Sequence, residues 1–186
     1  PQLGFVPPST FIPLAEELGL IDIIGERILK RACADAAGWP QHVTVAVNVS
    51  AAQFKGGHLV SAVEEALAAS GLPPSRLELE VTESIFLQGN EQNCALLGRL
   101  GDLGVQISLD DFGTGYSSLS YLRNFNFSKI KIDKSFINDL ATSESSVAIV
   151  RAVCGLARSF GATTTAEGVE AKGEEDRGKG EAHAPF

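Results

Sequence analysis

The sequence predicts an α/β fold built on a parallel sheet, and three observations predict it. Short apolar runs alternate with amphipathic stretches along the whole chain; each amphipathic stretch keeps a helical period and stops at a glycine; and the apolar runs end in polar or acidic side chains. Strand, helix, strand at this spacing means βα units with right-handed crossovers. A doubly wound sheet and a (β/α)8 barrel both fit. A full barrel takes about 250 residues, so a barrel made from these 186 residues is expected to be incomplete.

Taken in order, a short helix is expected over Thr10–Leu18, closed by Gly19. Ile21, Ile24, Ile28 and Ala32 predict the apolar face of a second helix that stops at Gly38. Val43–Val49 reads as the first strand, nearly continuous in apolar residues as in a strand covered on both faces. Leu59, Val63 and Leu67 stripe the next helix, ended by Gly71 and Pro73, and Leu77–Thr82 is the second strand. Leu96, Leu97, Leu100 and Leu103 lead to Gly104 and a third strand, Val105–Leu109. Lys129–Ile132 is the fourth. Val150, Val153, Cys154 and Ala157 form the last helical stripe, opened by Ser143 and closed by Gly161, before a fifth strand at Ala162–Ala166. Glycine marks these stops because it enters the left-handed conformation without a Cβ clash.

Composition narrows the function. Hydrophobic residues make up 44% and charged residues 20%, which is globular rather than disordered. A net charge of −8 argues against a general nucleic-acid or anionic-membrane surface, so no DNA and no membrane contact is expected. It leaves room for a phosphate substrate if metal ions supply the positive charge. No apolar run approaches a membrane span and no leader pattern opens the chain. Cys33, Cys94 and Cys154 are scattered, with no paired spacing, so a reduced, cytoplasmic setting is expected. The chain starts at Pro1 and has no methionine, which predicts an internal piece of a longer protein. Residues 171–186 contain no Ile, Leu or Val, are dense in charge, and are expected to form a disordered tail behind a single domain at 1–170.

The chemistry sits at the strand ends. The first strand ends in Asn48 and Ser50, the second carries Glu80 and Glu83, and the third leads to Asp110 and Asp111. The fourth brings Lys131 and Asp133, and the fifth leads to Glu167, with Glu170 close behind. Strand C-termini share one face of a parallel barrel, so these groups should converge. Crowded carboxylates repel, and hard divalent cations held by oxygen ligands are the natural relief. Adjacent Asp110 and Asp111 suit a pair of metals that activate water against a phosphodiester. The same pair before a glycine-rich turn also fits plain turn chemistry, and Asp111–Ser118 also fits a tight turn capped by Ser117. His42, His58 and His183 form no pattern, which argues against catalysis by histidine.

Five motifs then carry a resemblance. Val45–Ser50 (VAVNVS), Leu77–Ser84 (LELEVTES), Leu109–Leu119 (LDDFGTGYSSL), Lys131–Phe136 (KIDKSF) and Ala166–Glu170 (AEGVE) resemble, in order and spacing, the signature motifs of EAL-domain phosphodiesterases. Phe11–Gly19 resembles that family's early helix, so the likeness runs from about Pro7 to Glu170. The resemblance implies a TIM-like barrel that opens cyclic di-GMP to linear pGpG with two Mg²⁺ or Mn²⁺ ions. It implies Asn48, Glu80 and Asp110 as metal ligands, with Asp111 and Glu167 at the second metal. Lys131 would meet the attacking water and the phosphate, and Glu167 would serve as base. Glu83 would anchor the glycine-rich loop, with Asp133 and Glu170 as supporting acids.

The resemblance also implies fused sensor or diguanylate cyclase domains, a homodimer, and a parent protein that is itself open to membrane anchoring. The family's name-giving Glu-Ala-Leu strand is expected upstream of Pro1, and another strand beyond Glu170. Without them this stretch alone is expected to be inactive and aggregation-prone. The alternative is a degenerate module that binds cyclic di-GMP or a protein without turnover; a nonfunctional gene fragment is the third reading.

Overall fold

A computed structural model of the chain describes residues 4–87, 90–113, 125–140 and 142–169. The expectations that fall on Ser117, on Glu170 and on the charged tail lie outside the described residues.

The elements run α1 (Pro8–Glu17), α2 (Ile21–Ala37), β1 (Val45–Val49), a 3-10 turn (Ala51–Phe54), α3 (Leu59–Ser70) and a second 3-10 turn (Pro74–Arg76). They continue with β2 (Leu77–Thr82), α4 (Ser84–Leu87), α5 (Asn90–Asp102), β3 (Gln106–Phe112), β4 (Lys129–Ile132), α6 (Lys134–Asn138), α7 (Glu144–Ser159) and β5 (Thr163–Ala166). The five strands form one sheet in the order β1-β2-β3-β4-β5, with β3–β4 and β4–β5 parallel, and it does not close on itself among the described residues. This is the α/β, parallel-sheet architecture expected from the alternation.

Two compact units divide the described residues: those up to Leu79 together with Gly98–Gln106, and those of Glu80–Leu97 and from Ile107 onward. In the first, α2 packs on α3. Leu59, Val63 and Leu67 line the buried face of α3 as expected, and Gly71 closes it at φ 69°. The buried stripe of α2 is Ile21, Gly25, Leu29, Cys33 and Ala36, not the Ile24–Ile28–Ala32 face expected; Ile28 is exposed. The reason is Gly25. A methyl group there would stand 2.1 Å from Gln53 Nε2, so the bare glycine lets the buried Gln53 side chain lie against the helix and turns that face inward. Gly38 ends α2 at φ −84°, without entering the left-handed region expected of it.

Arg76 locks the end of α2 to the start of β2. Its buried guanidinium donates to the carbonyls of Ala36 (2.8 Å), Val43 (2.8 Å) and Trp39 (3.4 Å). Carbonyls at a helix C-terminus have no partners within the helix, and a buried one left unpaired costs its desolvation. Arg76→Met should therefore lower stability by about 3 kcal/mol, read as a shift in the urea midpoint.

The second unit holds β3, β4, β5, α6 and α7. Ser143 caps α7 by accepting from Ser146 N–H at 3.2 Å, as its position predicted. Strand burial is not uniform. β2 is buried along nearly its whole length, but β1 alternates buried and exposed, so one of its faces is uncovered, and β5 is half-exposed. The both-faces-covered expectation for Val43–Val49 therefore fails. Among the described residues, no helix is long and apolar enough to cross a membrane.

Candidate active site

The site lies in the second unit and starts from an irregularity in β3. Leu109 pairs with Ile130 and Phe112 with Ile132, so Asp110 and Asp111 together stand opposite the single residue Lys131. That is a β-bulge: one extra residue in one strand of the pair. Asp111 carries the bulge at φ 54°, the one left-handed non-glycine among the described residues, a conformation that Asp tolerates better than most residues. The strand expected to stop at Leu109 thus runs on to Phe112, with both acids inside it. In a regular strand neighbouring side chains point to opposite faces. Here the bulge brings carboxylate oxygens of Asp110, Asp111 and Glu167 within 4.8 Å of one another.

Lys131 sits at the centre. Its Nζ lies 2.9 Å from Glu80 on β2, 3.2 Å from Asp110 on β3 and 2.8 Å from Glu167 just past β5. Glu167 is placed by one extra rung beyond the β4–β5 ladder, its N–H donating to Ile132 O at 3.2 Å. Lys131, Glu80 and Asp110 are largely buried, while the Glu167 side chain keeps 32% exposure and Asp111 is exposed. Burial pulls the Lys131 ammonium toward neutrality. Its hydrogen bonds to Glu167 and Glu80 and the charges of Glu80 and Asp110 outweigh this and hold it above the ordinary lysine value. Asp111 shows the opposite strain: burial first, then the charges of Asp110, Asp133 and Glu167, push its carboxyl up, against the pull of Lys131.

The remaining expected residues take distinct places. Glu83 Oε1 accepts from Gly113 N–H at 2.8 Å, tying β2 to the turn that begins the glycine-rich loop; most of that loop lies outside the described residues. Asp133 caps α6, accepting from Ser135 N–H at 2.9 Å and from Ser135 Oγ, and these bonds hold its carboxyl below the ordinary value. Asn48 occupies an exposed position of β1, between buried Val47 and Val49, in the first unit. Ser50 spends its hydroxyl on capping the Ala51–Phe54 turn. The structure therefore gathers Glu80, Asp110, Asp111, Lys131 and Glu167, with Glu83 and Asp133 at the margin.

The donor set suits a hard divalent cation. Three carboxylates converge on a small volume beside a lysine already engaged with two of them, and the Asp111 carboxyl is pushed up first by burial and then by its acidic neighbours, whose repulsion a cation would relieve. Sequence reasoning missed the contribution of Phe136, whose ring lies against Gly113. No periodicity announces a five-residue helix, and the available signal was the place of Phe136 at the end of the Lys131–Phe136 motif.

A family model described as the EAL domain matches residues 1–177. The chain is 44% identical over 180 residues to the bifunctional diguanylate cyclase/cyclic di-GMP phosphodiesterase MucR of Pseudomonas aeruginosa, covering 95% of this chain and 26% of MucR. It is 42% identical over 175 residues to the cyclic di-GMP phosphodiesterase NbdA of the same organism, covering 91% of this chain and 22% of NbdA. The chain thus spans about a quarter of the length of these relatives. Among solved structures, a MucR phosphodiesterase in complex with c-di-GMP superimposes with a TM-score of 0.87 at 45% identity, over 92% of this chain and 71% of that one.

Proposed function

Because this chain belongs to the EAL domain family, we propose that it forms the phosphodiesterase portion of a larger signalling protein, opening cyclic di-GMP to linear pGpG. The observation that supports this most is Lys131, buried among acids from three other strands beside a bulge that doubles the carboxylates at one rung. Asp110, Asp111, Glu167 and Glu80 would hold Mg²⁺ or Mn²⁺; two ions, and Asn48 as a further ligand, are what the resemblance implies. Bound there, the cations would lower the proton affinity of water and offset the phosphodiester charge.

The chain's own residues would do the rest. Glu167, whose side chain keeps 32% exposure beside Lys131, takes the proton of the attacking water as the water oxygen bonds to phosphorus; one P–O ester bond of the ring breaks and its leaving oxygen takes a proton from solvent. Lys131 keeps its charge and presents it to the phosphate oxygens. Glu80 and Asp110 hold that ammonium in place, and Glu83 fixes the Gly113 turn. Asp133 and Glu170 are supporting acids, as the resemblance implies. Cyclic di-GMP is the proposed ligand, with sensor or cyclase domains in the same protein, a homodimer and a cytoplasmic location as the accompanying expectations.

The test is Glu167→Gln in the intact protein that carries this chain. Formation of pGpG in Mn²⁺ should fall by about 10²–10⁴-fold, while cyclic di-GMP binding by calorimetry persists. Undiminished turnover would remove Glu167 as base. Binding without turnover in the unaltered protein would instead support the receptor reading.

A further inference from the structure

Helix α6 is five residues long and follows β4 after only Asp133. Its capped start is therefore two residues from Lys131. Two of its residues touch turns that belong to other strands. A methyl group on Gly113 would stand 2.9 Å from Phe136 Cε2 and 3.2 Å from Cζ, so the ring packs against the bare backbone of that glycine. A methyl group on Gly168 would stand 2.9 Å from Lys134 Cβ. Both glycines have φ values closed to most side chains, +99° and +69°. Gly113 lies two residues after Asp111, and Gly168 directly follows Glu167. One short helix thus presses on the turns behind both acids, while α7 packs against it.

We infer that Phe136 is a positioning residue: with Lys134 Cβ it holds the Gly113 and Gly168 turns at a fixed separation, and so sets the approach of the Asp111 and Glu167 carboxylates. The hydrogen bond from Gly113 N–H to Glu83 fixes that turn from one side, and the Phe136 ring fixes it from another. Removing the half-buried ring uncovers the Gly113 turn, two residues after the left-handed Asp111, and leaves that turn held only from the Glu83 side. Phe136 touches neither carboxylate in this account; its effect passes through the backbone.

The inference rests on the proposed metal site, and its test separates the two. In the intact protein, Mn²⁺ affinity is measured by electron paramagnetic resonance, and kcat and KM for cyclic di-GMP are measured alongside. Phe136→Ala should weaken Mn²⁺ binding by about 10–100-fold and lower kcat more than it changes KM. Phe136→Leu should recover most of the loss, and Ile137→Ala, the neighbouring half-buried residue of the same helix, should bind Mn²⁺ as the unaltered protein does. Wild-type affinity in Phe136→Ala, or an equal loss in Ile137→Ala, would overturn the inference. Should Phe136→Ala fail to fold, the smaller Phe136→Val takes its place: Mn²⁺ affinity indistinguishable from wild type in that variant would count against the positioning role. An unaltered protein that binds no Mn²⁺ takes down the metal site and this inference together, whereas normal binding with an indifferent Phe136→Ala removes this inference alone.

Discussion

Lys131→Met lowers the stability of the metal-free protein by about 3–5 kcal/mol, because it strips the counter-charge from a buried cluster of acids. Glu80 and Asp110 are buried and Glu167 partly so, and each lies within 3.2 Å of the ammonium that the substitution deletes. Methionine fills much of the volume, so the loss reports charge rather than a cavity. The urea midpoint measured in EDTA should carry the full loss. Added Mn²⁺ should restore part of it by supplying positive charge to the same oxygens, while turnover stays abolished. The pH dependence has a definite sign. The folded-state pKa of Lys131 lies above the ordinary lysine value, so the stabilisation is fully present below that ordinary value. It is lost only as pH rises through the folded pKa, in strong alkali. The gap between wild type and variant should therefore stay constant across neutral pH. A variant as stable as wild type in EDTA would mean that the lysine does not hold the cluster together.

The second large effect runs in two directions at once. Asp111→Asn should raise the melting temperature of the metal-free protein at neutral pH, and should weaken Mn²⁺ binding by at least about a hundredfold, the upper end for residues one layer further out. Burial, then Asp110, Asp133 and Glu167, push the Asp111 carboxyl up, so its charged form is unfavourable in the fold. A raised folded-state pKa means that the native protein binds this proton more tightly than the unfolded chain does. Wild-type stability should then fall as pH rises through the range just above the ordinary aspartate value, and remain lower beyond it. The asparagine variant should lack that fall. Asparagine also accepts the left-handed backbone at this position, so the comparison isolates charge. Melting curves from pH 4 to 8 in EDTA, with and without the substitution, check it; parallel curves would contradict the electrostatic account.

The sequence carried the architecture well where periodicity was strong. The second and fourth strands have the ends expected of them, and α3 and the Ser143 cap stand where predicted, because each rests on local pattern or local hydrogen bonding. The α2 face was misread because Gly25 contributes to the buried stripe by having no side chain, which no hydrophobic period can register. The acids that gather round Lys131 were legible as strand-end residues. What could not be read was how two adjacent aspartates come to share one site, since strand alternation predicts opposite faces. That depends on a left-handed residue inside a strand, a property of the pairing with β4. The α6 contacts were invisible for a similar reason: they are distances between segments, fixed only once the strands are assembled.

The doubled rung in β3 also bears on how this site can change over time. With two residues facing one, the placement of Asp110 and Asp111 is a matter of counting along the chain and does not hang on any single neighbouring side chain. Exchanges around it can tune affinity by degrees. Loss of one residue between Leu109 and Phe112 would instead delete one of the two acids and restore plain alternation in a single event. Such a site drifts little under substitution and is erased abruptly by a one-codon deletion.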